Sequence, residues 1–97
     1  MKNIKCTRMI ISEAVSDNAV KELVNAMQQH VGTVSNMSDF SILAEEGGRM
    51  VILITDWPSR EDCLNYHAGR IYRQLVASTH HLLVGGYVVK LFENKTR

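Results

Sequence analysis

Between Arg49 and Pro58 the sequence reads RMVILITDWP, and every residue from Met50 to Ile54 is apolar. A strand sends alternate side chains to opposite faces, so both faces of this one must be kept from water. That requirement places it centrally in a sheet and demands cover on each side. Gly47-Gly48 stands just ahead of it, and ahead of those lies DFSILAEE, where Phe40, Ile42 and Ala44 alternate with Ser41 and Glu45. Two adjacent glycines tolerate the positive φ angles of a type I′ turn, so the pair predicts a tight two-residue hairpin.

The remaining elements follow from changes of period. From Ile4 to Glu13, Ile4, Cys6, Arg8 and Ile10 alternate with Lys5, Thr7, Met9 and Ile11, which is strand spacing. Val20, Leu23, Val24, Met27 and Val31 then recur on one helical stripe. Ser16 suits its N-cap, Asp17 complements the dipole of the first turn, and Gly32 suits its end. After the central strand, Pro58 stops extension, and Ser59 with Asp62 forms an S-x-x-D start for a second helix. Leu64, Ala68, Ile71, Leu75 and Leu82 predict its buried stripe, and Gly69 predicts a break or kink. Gly85-Gly86 precedes a last strand from Tyr87 to Phe92.

The order β-α-β-β-α-β predicts an α+β, ferredoxin-like fold: a four-stranded antiparallel sheet, two helices on one face, and the first and third strands in the middle. Helices cover one face of the doubly apolar strand, and a second copy of the sheet is the simplest cover for the other. A chain of 97 residues is read as one domain spanning 1–97.

Charge excludes some functions. Lys and Arg number 11 against 10 acids, and they are scattered, which gives no electrostatic reason to expect nucleic acid. Lys5 and Arg8 interrupt the first apolar stretch, so no signal peptide or membrane span is expected and the reading is cytoplasmic. Cys6 and Cys63 match no zinc or CxxC spacing, and no metal site is expected.

The segment RMVILITDWPSREDCLNYHAGRIYRQLV resembles the antibiotic biosynthesis monooxygenase (ABM) family of dimeric α+β barrels. Members often show an apolar strand ending in Trp, then Ser with acidic residues, then a helix carrying His and aromatics. The resemblance implies a homodimer joined through its sheet faces, with a cavity between sheet and helices in each subunit. It also implies oxidation of a small phenolic or quinol-type aromatic ligand by molecular oxygen, with no cofactor. Departures exist: Leu53 stands where the antibiotic-pathway oxygenases carry an Asn, and Tyr66 stands where the family usually has His. Haem degradation is excluded, because Thr7 and Arg8, Tyr66 and Val76 occupy the positions where those relatives need Asn, Trp and His.

Within this frame Trp57, the single tryptophan, matches the strand-end Trp. Its indole N–H would donate to a substrate oxygen, or the ring would simply plug the end of the core. For the catalytic position, His67 lies nearer the apolar stripe while Tyr66 holds the family's register, and His67 is preferred as a general base. Tyr72 would line the pocket with its hydroxyl as an adjustable donor, or merely pack. Arg8 is either an anion-stabilising substrate contact or half of an intersubunit salt bridge. The function read from the sequence is an ABM-type monooxygenase; the alternative is a non-catalytic or isomerising small-molecule binder.

Overall fold

The computed structural model describes residues 4–95. Four strands, β1 (Cys6–Glu13), β2 (Asp39–Ala44), β3 (Met50–Trp57) and β4 (Val88–Glu93), form one antiparallel sheet in the order β2-β3-β1-β4. The ferredoxin-like arrangement expected from the sequence is therefore present, with β1 and β3 in the centre. Helix α1 (Asp17–Val31) follows β1, and α2 (Arg60–Ala68) and α3 (Arg70–Thr79) lie between β3 and β4, with a short 3₁₀ turn at His80–Leu82. Among the described residues no helix is long and apolar enough to cross a membrane.

Strand pairing sorts the side chains into two layers. Cys6, Arg8, Ile10 and Ser12 of β1 share a face with Val51, Leu53, Thr55 and Trp57 of β3, and all eight are buried. The helices pack on this face. Leu23 and Met27 of α1, Cys63 and Tyr66 of α2, and Tyr72 and Leu75 of α3 complete the core. Each such apolar side chain contributes about 1.5–3 kcal/mol by leaving water. The opposite face carries Met9, Ile11, Ile52 and Ile54, flanked by Leu43, Val88 and Phe92, which are 50%, 54% and 46% exposed.

Local chemistry sets the element ends. Ser16 Oγ accepts from the Ala19 N–H at 3.1 Å, and Ser59 Oγ accepts from the Asp62 N–H at 3.0 Å, so both predicted N-caps form. The hairpin between β2 and β3 forms too, but its turn differs from the expectation. The Gly48 N–H bonds the Glu45 carbonyl, and only Gly47 takes a positive φ, +72°. A type I′ turn needs positive φ at both central residues. Here the loop is longer, because Glu45 still pairs with Met50 through its N–H at 2.8 Å.

The stripe expected on the second helix is corrected by the structure. Leu64 and Ile71 are 43% and 40% exposed and Ala68 is exposed, while Cys63, Tyr66, Tyr72, Leu75 and Thr79 are buried. Leu75 and Leu82 are buried as the stripe predicts, but its first half faces outward, because this helical layer buries tyrosines, a thiol and a hydroxyl. The Thr79 hydroxyl donates to the Leu75 carbonyl at 2.7 Å, so it enters the core already satisfied. Gly69 breaks the run outright: its backbone is extended (φ −82°, ψ 166°), and a Cβ there would meet the Asn65 and Tyr66 carbonyl oxygens at 3.1 and 3.2 Å.

The corrected stripe carries a test. Leu75→Ala should cost about 2–5 kcal/mol in urea unfolding, as large-to-small changes in cores do. Leu64→Ala should stay within about 0.5 kcal/mol, as surface changes do. Equal losses at both positions would restore the aliphatic stripe.

Candidate functional site

Strand alternation puts Arg8 on the helix-facing side of β1, two residues from Cys6 and two from Ile10, in the middle of the core. It is 1% exposed. Thr55 lies directly across on β3 and Leu91 directly across on β4. The helices close over it: the guanidinium carbon sits 4.4 Å from the Tyr72 ring centroid and 5.3 Å from that of Tyr66. An intersubunit salt bridge through the sheet face is thereby ruled out for Arg8, which points away from that face.

One guanidinium nitrogen has a partner. Arg8 Nη2 and His67 Nδ1 are hydrogen-bonded. Arginine only donates, so Nδ1 must accept, and His67 is held neutral with its proton on Nε2. Burial and then the Arg8 charge both push the His67 pKa down, in the same sense. Arg8 Nη1 is buried and makes no hydrogen bond. Two aromatic faces offset a buried cation by about 0.5–2 kcal/mol each, against several for removing it from water. An arginine cannot escape by losing its proton. The cation is therefore costly to the fold, and the unpartnered nitrogen is a strong donor with no acceptor.

Around it runs a chain of rings. Tyr66 packs on Trp57 at 4.9 Å, on Tyr72 at 5.5 Å and on His30 at 5.6 Å between centroids, and Tyr72 packs on His67 at 5.2 Å. Tyr66 is buried, and its hydroxyl bonds His30 Nε2 at 2.5 Å. Burial drives the Tyr66 phenol pKa well above its usual value and the His30 pKa below 6.5, so both stay neutral. Trp57 is 1% exposed and its indole N–H donates to Thr55 Oγ1 at 2.9 Å, so that donor is already engaged.

Tyr66 and His67 thus part company. Tyr66 is a core residue, and His67 is an exposed residue on the flank of α2 that reaches in to Arg8. A groove of about 500 Å³ lies beside them, lined by His67, Tyr72, Arg73, Val76, Ala77 and Tyr87. The Tyr87 hydroxyl donates to Thr79 Oγ1 at 2.6 Å, since the Thr79 proton is taken by Leu75. A second cleft of about 360 Å³ is walled by Trp57 and Tyr66, with Asp62, Asn65 and Arg70 at its polar edge. Both are open to solvent, and the larger of the two lies against His67 and Tyr72. Among the described residues no group of three or more His, Cys, Asp or Glu side chains is placed to hold a metal ion.

His30 escaped the sequence reading. It stands three residues after Met27 and seven after Leu23, on the buried stripe of α1, and that spacing was the available signal.

An uncompensated buried charge makes a definite prediction about stability. Arg8→Met keeps the length and apolar stem and removes the charge, so the free energy of unfolding in urea should rise, by on the order of 1 kcal/mol or more. A fall in stability would mean that the two tyrosine rings and His67 compensate the cation fully.

No family model matches the chain, and no curated protein sequence matches it. Its fold, however, recurs among solved structures. A monooxygenase from the gene ActVA-Orf6 of Streptomyces coelicolor, solved with the ligand nanaomycin D, superposes with a TM-score of 0.81 over 98% of this chain and 91% of that one, at 15% identity. SnoaB, a cofactor-independent oxygenase from Streptomyces nogalater, gives 0.78 over 96% and 95%, at 10% identity. A dimeric ferredoxin-like protein of unknown function from Thermobifida fusca gives 0.72 over 97% and 95%, at 14% identity. The chain shares the fold of antibiotic-pathway monooxygenases and of ferredoxin-like dimers whose role is not known.

Proposed function

We propose that this chain is an ABM-type, cofactor-independent monooxygenase that oxidises a small phenolic or quinol-type aromatic with molecular oxygen in the space between sheet and helices. The observation that supports this reading is Arg8: a permanent cation, 1% exposed, with a buried nitrogen that makes no hydrogen bond. An electron-rich phenol or anthrone reacts with oxygen through its anion. A donor fixed in a desolvated site stabilises such an oxyanion more than water does. In the net reaction a ring CH₂ and O₂ become a carbonyl and water, so oxygen is the only oxidant required.

Each residue has a part in this reading. Arg8 holds the phenolate or enolate oxygen. Tyr72 supplies a flat wall over the guanidinium, and the groove beside it admits the ring system. Trp57 acts as a wall, since its N–H is engaged by Thr55. Tyr66, kept protonated by burial and bonded to His30, is a spacer under the guanidinium, and His67 is the group bonded to Arg8 with a titratable nitrogen.

A second reading, a binder without turnover, is favoured by one observation. His67 Nδ1 accepts from Arg8, so the resting site presents no free base there. Oxygen consumption by purified protein against reduced quinols, anthrones and flavonols separates the two. Uptake proportional to protein, reduced about 10²-fold or more in Arg8→Met, is expected for the oxygenase. Ligand-induced thermal stabilisation with no uptake across the panel would establish the binder.

The same reading includes a homodimer joined through the sheet faces, supported by the exposed Leu43, Val88 and Phe92 on the face without helices. Sedimentation should give twice the chain mass. Leu43→Lys, which sets a charge in that apolar layer, should shift the equilibrium toward monomer, whereas a wild-type monomer at all concentrations would end the dimer reading.

A further inference from the structure

We infer that His67 is a displaceable occupant of the Arg8 site: an anionic aromatic ligand entering the groove beside Tyr72 takes its place as acceptor on the guanidinium, and His67 leaves carrying a proton. This rests on the reading of Arg8 as an anion-holding group and adds the ligand's charge and the site's coupling to pH. Arg8 Nη1 needs an acceptor and Nη2 has only a neutral imidazole nitrogen. A carboxylate or phenolate oxygen is the stronger partner for both, because charge-assisted bonds are roughly twice as strong as neutral ones. Among the described contacts of Arg8, His67 is the one that can give way: Tyr66 and Tyr72 are buried, whereas His67 is exposed and lies at the wall of the groove.

The proton follows from electrostatics. While bonded to Arg8, His67 must be neutral, for imidazolium offers no acceptor and would repel the guanidinium. Once an anion sits on Arg8, the cation beside the imidazole is neutralised and a negative group lies next to it, and both favour imidazolium. Among the described residues the ionisable groups around it are Arg8 from β1, Tyr66 from its own helix, Tyr72 and Arg73 from α3, and Tyr87 ahead of β4. None is a carboxylate, so the ligand supplies the negative charge. With a carboxylate ligand the proton comes from solvent. With a phenol it comes from the ligand hydroxyl, so the phenolate oxygen goes to Arg8 and the proton to His67 Nδ1. Binding and deprotonation are then a single exchange.

The experiment uses 2-naphthoate, a redox-inert aromatic carboxylate titrating near pH ~4, and so ionised throughout the range used. Calorimetry in two buffers of different ionisation enthalpy reads protons taken up per ligand. Uptake approaching one proton near neutral pH is expected, with affinity strengthening as pH falls, by up to about tenfold per unit. His67→Gln keeps an oxygen that can accept from Arg8 but cannot hold a proton, so binding should persist and uptake vanish. Binding without uptake in the wild type, or uptake unchanged in His67→Gln, would overturn the exchange and leave Arg8 as an anion site. Undiminished binding by folded Arg8→Met would overturn it as well. No binding by the folded wild type at any pH would remove both the exchange and the Arg8 reading. None of these outcomes depends on oxygen turnover.

Discussion

A guanidinium in the middle of a hydrophobic layer is the constraint to which the rest of this molecule answers. Arg8 cannot discharge, cannot reach solvent, and makes no ion pair with a carboxylate among the described contacts. The surrounding layer is accordingly aromatic and polar where a ferredoxin-like core would otherwise be aliphatic. Two tyrosine faces, an imidazole and a threonine lie about the cation, and the aliphatic packing of Ile10, Leu23, Met27, Val51 and Leu53 belongs to the rest of the core. Such an arrangement costs stability locally, because a buried charge without an ionic partner is not fully compensated.

The same constraint explains why the helical layer is divided. In an unbroken helix Tyr66 and Tyr72 would point roughly 120° apart, and only one could cover the guanidinium. The extended backbone at Gly69 resets the direction of α3, so both rings lie over Arg8. What favours glycine there is the close approach to the Asn65 and Tyr66 carbonyls, not a left-handed conformation.

Much of the fold was legible because the backbone period and the caps are local signals. The doubly apolar β3, the Ser16 and Ser59 caps and the break at Gly69 could each be read within a few residues, and together they specify the topology. The site was less legible. Alternation put Arg8 on the same strand face as Cys6 and Ile10, but which layer that face meets depends on distant elements. On α2 hydrophobicity points to the face of Leu64 and Ala68, while burial follows Cys63 and Tyr66, whose polar tips find partners or apolar surroundings only in three dimensions. For His30 the helical spacing from Leu23 and Met27 marks the buried face, but the phenol that satisfies its ring nitrogen comes from α2 and is not visible in the sequence.

Helix α2 has a further consequence. Its nine residues fall short of the ~12–15 that a helix needs to persist by itself, and only Cys63 and Tyr66 are buried along it. Its first turn is tied down by Ser59, while its last turn ends at Gly69, whose N–H bonds the Tyr66 carbonyl, and is held inward by the buried Tyr66 ring and the His67–Arg8 hydrogen bond. Of these ties the His67 bond is the one that starts from an exposed side chain, so local opening at the end of α2 would begin there, at a cost below that of unfolding the domain.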